Sequence, residues 1–217
     1  MARMARVVIP DVPHHVTQRG VRNMDIFFQD EDYVTYKEIL SEQCLYHGTR
    51  IVSYCLMTNH VHLIAIPETE ASLAKAIGEA HRLYTRYINF KHKQRGHLFQ
   101  ERFFSTAMGE THFFSALRYV ENNPVRAKMV KQSWEYPYSS ASYRVEKAFD
   151  DALLSDYGPI EMIDDYRKFL EVEGQDESML RERTRTGRPY GDEQFYDAIE
   201  AKTGKDLRPK KAGRKKK

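Results

Sequence analysis

The order of apolar and polar positions divides the chain into an alternation of strands and helices. HHVTQR, residues 14 to 19, predicts a short strand, and RGVRN supplies a turn rich in Gly, Arg and Asn. Asp30 is a candidate cap for a helix running to about His47. Its stripe is Tyr33, Tyr36, Ile39, Leu40 and Leu45, and Gly48 ends it. Residues 50 to 66, rich in Ile, Val, Tyr and Leu, predict two strands with Thr58 and Asn59 as the turn or bulge; Pro67 closes the run. Residues 71 to 91 predict a long helix with Leu73, Ile77, Ala80, Tyr84, Tyr87 and Ile88 near one face. HLFQERFFSTAM alternates like a strand or hairpin, residues 111 to 122 are helical, and NPVRAKMV opens another helix. The order β-α-β-β-α-β-α predicts an α+β fold, an antiparallel sheet with helices packed on it. After Tyr143 the chain turns polar, with helices expected near 159 to 172 and 191 to 203. Three segments result: a domain over 1–145, a helical C-terminal extension over 146–204, and a basic tail over 205–217, expected to be disordered.

With 217 residues, 41% hydrophobic, the chain can bury a sizeable core. No apolar run is long enough to span a bilayer, and MARMARVVIP is too short in its apolar part for a leader. A cytoplasmic protein is expected. Cys44 and Cys55 form no Cys-x-x-Cys pair, which disfavours a disulfide framework or a thiolate zinc site. The net charge of +3 is unevenly divided. Residues 1–145 carry 18 basic and 14 acidic side chains, 146–182 carry 4 and 12, and 183–217 carry 12 and 5. The basic end, RPKKAGRKKK, suits contact with a phosphate backbone, or equally a solvated tail. The acidic middle would face away from any DNA.

Two constellations carry candidate chemistry. In MTNHVHLIAI, residues 57 to 66, His60 and His62 share one face of a strand while Val61 and Leu63 share the other. Two imidazoles so spaced can bind one divalent metal; ordinary hydrogen-bonded strand histidines fit the same pattern. No His-Glu-x-x-His or nearby carboxylate cluster supports a zinc hydrolase or a two-metal nuclease. In RYVENNPVRAKMV, Tyr119 and Asn123 are four apart on one helical face. Tyr119 is either packing or a nucleophile. Asn123, before Pro124, is either an N-cap or the source of a metal-binding oxygen.

Arg3, Arg6, Arg19, Arg22 and Asn23 flank the first strand and are candidates for contact with phosphates or bases. His14 and His15 lie on opposite faces of that strand, so at most one, taken as His15, lines a site. Lys91, Lys93 and Arg95 in KHKQRGH form a second basic patch. The aromatics of RLYTRYINFKHK suit base stacking, but their helical spacing favours a core role.

MTNHVHLI, HLFQERFFS and RYVENNPVRA, taken in order, resemble the single-tyrosine HUH transposases. ARVVIPDVPHHVTQRG and RTGRPYGDEQF sharpen the resemblance to the REP-associated tyrosine transposases. It is strong over residues 2 to 143 and weaker around GRPYGDEQF. Thr58 departs from the pattern, where proline is more usual. The resemblance implies a ferredoxin-like nuclease palm and Mg2+ or Mn2+ on His60, His62 and Asn123. It implies that Tyr119 attacks single-stranded DNA to form a 5′-phosphotyrosine, with hairpins of repetitive extragenic palindromes (REP) as substrate. A tyrosine phenol ordinarily titrates near pH 10, so it needs such help at neutral pH. The alternative is a protein that binds hairpin DNA without cutting it. A relaxase or replication initiator is disfavoured by the lack of a second nearby catalytic tyrosine and of a helicase-like domain. A monomer is favoured over a dimer that exchanges the tyrosine helix.

Overall fold

The computed structural model describes residues 6–146, 150–172 and 177–209. Arg3 and the residues from 210 onward, most of the expected basic tail, lie outside the described residues. Four antiparallel strands, β1 (His14–Arg19), β2 (Thr49–Met57), β3 (His60–Pro67) and β4 (Phe104–Ala107), form one sheet in the order β2-β3-β1-β4. The chain therefore has the expected α+β architecture. β3 and β1 are central and buried on both faces, which is why β3 reads as a continuous apolar run after its histidines.

One face of the sheet is covered by α1 (Asp30–Tyr46) and α2 (Ser72–Lys91). Leu73, Ala76, Ile77, Ala80, Tyr84 and Ile88 line the inner side of α2, a spacing that gives one apolar stripe. They meet Val16, Val61, Leu63 and Ala65 of the sheet. Leu63 is fully buried; truncating such a side chain to alanine typically costs about 2–5 kcal/mol. His81 of α2 is buried here, 3.0 Å from the Tyr36 hydroxyl and stacked on Phe99. Burial holds its pKa down to about 3.

Two expectations for α1 are corrected. Its N-cap is Gln29 rather than Asp30, because Asp32 accepts the backbone N–H groups of Phe28 and Gln29 and closes a capping box. Leu45 is 87% exposed, since the buried stripe is Tyr33, Tyr36, Leu40 and Cys44 and the next position rotates to solvent. HLFQERFFSTAM yields only the short β4, and residues 97–103 pass as irregular chain.

The other face carries α3 (Glu110–Glu121), followed by the single turn α4 (Asn123–Arg126) and α5 (Ser140–Glu146). NPVRAKMV thus gives one helical turn rather than a full helix. The fully buried Glu121 fastens α3. It accepts from Ser53 of β2 (3.1 Å), Ser140 of α5 (2.5 Å) and the Tyr166 hydroxyl (2.8 Å), and pairs with Arg144 (3.5 Å). Burial raises its pKa, which those partners oppose.

The extension holds α6 (Gly158–Glu161), α7 (Tyr166–Glu171), α8 (Glu177–Thr186) and α9 (Glu193–Thr203). The helix expected over 159–172 is two short ones, and α8 is an addition to the sequence-based expectation. Along β2, Ile51 bridges Leu154 and Cys55 bridges Ser139. Along β4, Tyr190 N–H donates to the Ala107 carbonyl (2.8 Å), and Gly109 N–H to that of Tyr190 (2.9 Å). Among the described residues no helix is long and apolar enough to cross a membrane.

Candidate active site

The sheet register decides which side chains meet. Thr17 of β1 pairs with His62 of β3, and Arg19 with His60, so His15, Thr17, Arg19, His60 and His62 share one face. That face is the one α3 covers. There, a cavity of about 620 Å3 is lined by His60, His62, Tyr119 and Asn123, with Arg19, Arg126 and Arg181 around them. The histidine pair and the tyrosine singled out in the sequence thus line one cavity.

His60 is fixed from below. Asn59 Nδ2 donates to the Asn23 carbonyl (3.2 Å), which turns Asn59 Oδ1 toward His60 Nδ1 at 2.6 Å. A carboxamide oxygen only accepts, so His60 carries its proton on Nδ1 and presents the Nε2 lone pair. Burial, then the positive Arg19 and Arg126, hold its pKa down to about 4. His62 is held well below its ordinary value by burial and by His15, His60, Arg126 and Arg19. Both rings are neutral near pH 7, as metal ligands must be. Thr58, where proline is usual, is exposed and acts through its carbonyl, which accepts Ile26 N–H (2.8 Å) and Phe27 N–H (3.1 Å). The substitution leaves that brace intact.

Tyr119 projects from α3 with its ring edge-on to His62 (5.5 Å) and His15 (5.6 Å). The Arg126 guanidinium lies 4.0 Å over the ring and donates to the Tyr119 carbonyl. Arg181 Nε of α8 donates to the Tyr119 hydroxyl at 3.2 Å. Asn123 is not the N-cap of α4; that position is Asn122. Its amide nitrogen instead donates back to the Tyr119 and Val120 carbonyls, satisfying the end of α3. This fixes Asn123 Oδ1 as the outward atom, where Arg126 Nη2 holds it at 2.7 Å.

The donor set fits a divalent cation at the two imidazoles, since His60 presents an Nε2 lone pair and both rings are neutral. Asn123 Oδ1 keeps a second lone pair and would share itself with Arg126.

The predicted DNA-contacting residues divide. Arg19 borders the cavity and donates to Asn23 Oδ1 (3.1 Å). Arg22 and Asn23 are exposed, both with left-handed backbone (φ 54° and 60°) at the loop tip beside the site. Lys93 and Arg95 are exposed. Lys91 is engaged by Asp32 (2.7 Å), whose hydrogen bond raises its pKa, and by Glu31 (3.6 Å). Arg6 lies over the Phe103 ring and donates to the Phe103 carbonyl, a brace rather than an outward cation. His15 is 1% exposed and hydrogen-bonds His62 and Thr184, so it lies beneath the surface expected to touch DNA. Arg126, Arg181 and Thr184 escaped the sequence reading. Their signal is Arg126 three residues after Asn123, and Arg181 and Thr184 one helical turn apart in RERTRTGR.

Comparison with known proteins gives the fold and the family. A solved REP-associated tyrosine transposase bound to a REP hairpin superimposes with a TM-score of 0.59 at 18% identity, over 72% of this chain and 93% of that one. The two share a fold. A putative transposase from Deinococcus radiodurans gives a TM-score of 0.39 at 19% identity, over 55% of this chain and 96% of that one. No curated protein matches. The family model for IS200-like transposases matches residues 14–123, from the first strand through the histidine pair to Tyr119 and Asn123, and the chain belongs to that family of DNA transposases.

Proposed function

We propose that the protein cleaves and rejoins single-stranded hairpin DNA of the REP type through a covalent 5′-phosphotyrosine at Tyr119. The observation that carries this reading is the meeting of Tyr119, His60 and His62 in one cavity rimmed by arginines. The solved relative bound to a REP hairpin supports the choice of substrate.

Tyr119 Oη attacks the scissile phosphorus, the bond from phosphorus to the 3′ oxygen breaks, and the phenolic proton is balanced by the proton gained by the released 3′-hydroxyl. Rejoining reverses these changes, and the phosphotyrosine conserves the phosphodiester's energy. Arg181 orients Oη and stabilises negative charge on it as attacker and as leaving group. Arg126 holds the ring. Arg19, Arg22, Asn23, Lys93 and Arg95 form the nucleic-acid surface. A Mg2+ or Mn2+ ion on His60, His62 and Asn123 would polarise the phosphate when bound. Glu121 ties the nucleophile helix to β2, α5 and α7 of its own chain, which supports action as a monomer.

Incubation with a REP-type hairpin oligonucleotide and Mn2+ should give a covalent adduct on a denaturing gel. Chelator and Tyr119→Phe should each abolish it. An adduct surviving Tyr119→Phe would overturn the nucleophile assignment. A second reading, hairpin binding without cleavage, has one observation in its favour: Arg126 and Arg181 already engage Asn123 Oδ1 and the Tyr119 hydroxyl. Tight binding by the wild type with no adduct would select it.

A further inference from the structure

The histidine pair rests on a buried relay that ends in the extension. His62 Nδ1 and His15 Nε2 are 2.9 Å apart, with ring planes within 4° of each other. His15 Nδ1 lies 2.8 Å from Thr184 Oγ1 of α8, 169 residues away in sequence. Thr184 is 2% exposed.

With both rings neutral, each imidazole holds one proton, and the relay has two proton orders. In the first, the Thr184 hydroxyl donates to His15 Nδ1 and His15 Nε2–H donates to His62 Nδ1. His62 then keeps its proton on Nε2 and has no lone pair for a cation. In the second, His62 Nδ1–H donates to His15 Nε2 and His15 Nδ1–H donates to Thr184 Oγ1. Only this order frees His62 Nε2, matching the Nε2 lone pair that Asn59 enforces on His60.

We propose that His15 is a positioning residue that accepts from His62 Nδ1–H in the metal-ready tautomer, and that Thr184 completes that order by accepting from His15 Nδ1–H. The extension then completes the cation site without contributing a ligand. This rests on the cation reading of the site given above. Valine at position 184 leaves His15 Nδ1–H buried without an acceptor, which favours the order that closes His62.

The test is Mn2+ affinity of the full chain without DNA, read from the loss of the free-Mn2+ electron paramagnetic resonance signal, with a thermal melt on each variant. Thr184→Val and His15→Phe should weaken binding about 10- to 100-fold, the range for lost supports of metal-bound histidines. Thr184→Ser should bind as the wild type does, a rescue that loss of packing alone would not give. Should Thr184→Val fail to fold, the His15→Phe and Thr184→Ser pair decides. A wild type that binds Mn2+ while Thr184→Val or His15→Phe binds it equally well overturns the relay and leaves the cation site standing. A wild type that binds no Mn2+ even at millimolar concentration overturns the cation site and the relay with it.

Discussion

Acidification from pH 7 to pH 5 should weaken the fold through histidines remote from the active site, and His81 sets the scale. It lies between Tyr36 and Phe99 with its pKa held near 3 by burial, against an ordinary 6.5. At pH 5 the unfolded chain binds a proton there and the folded protein does not. Stability therefore rises with pH: this contribution is complete above 6.5 and is lost as the pH falls toward 3. Linkage over the interval from pH 7 to pH 5 gives about 2 kcal/mol for this one side chain. His81→Gln keeps an amide partner for the Tyr36 hydroxyl and removes the titration. In urea unfolding at the two pH values, the wild type should lose about 2 kcal/mol more than the variant. Equal losses would refute the neutral burial of His81. His14, held down to about 4 mainly by burial, adds a loss of the same sign. A falling cleavage rate at pH 5 thus mixes loss of fold with loss of site, and the His81→Gln background separates them.

Arg181→Gln should slow adduct formation in single-turnover gels by about 10- to 100-fold, the equivalent of one hydrogen bond to a charged group, with hairpin affinity little changed; an unchanged rate would contradict its role on Oη. Gly20→Ala would place a Cβ 2.1 Å from the Met24 carbonyl oxygen, displacing the loop that positions Asn59 under His60. Weaker Mn2+ binding should accompany a stability loss of about 1–3 kcal/mol by thermal melt, and Mn2+ affinity at the wild-type level would show that the loop does not position His60. Glu121→Ala removes the ion-pair partner of Arg144 and the carboxylate to which three hydroxyls donate, and should cost about 3–5 kcal/mol in urea unfolding; a loss below 1 kcal/mol would mean that water replaces the carboxylate.

The sheet and the two helices beneath it were legible because their apolar positions recur with periods of two and about three and a half, and those faces became the core. The histidine face followed from the same alternation, as did the separation of His14 from His15. Leu45 misled because a stripe cannot say where the covering sheet ends. Asn123 misled because a cap can serve the helix before it as readily as the one after. α8 was not legible: it carries only Met179 and Leu180 as apolar residues, and beyond the buried Leu180 its contacts to the site are polar. Arg126, Arg181 and Thr184 act across elements far apart in sequence, and local pattern carries no record of such meetings.

The extension has a second consequence, for the sheet as a polymerisable object. An open four-stranded sheet has two edges with unpaired backbone groups, each a template for another copy. Here Leu154 and Ser139 lie along β2, and Tyr190 exchanges hydrogen bonds with the chain at Ala107 and Gly109 beside β4. A chain cut back to residue 145 would bare the β4 edge and the Ile51 end of β2 at once. Self-association of such a fragment would then be a property of its exposed backbone, and would say nothing about how the intact protein assembles on DNA.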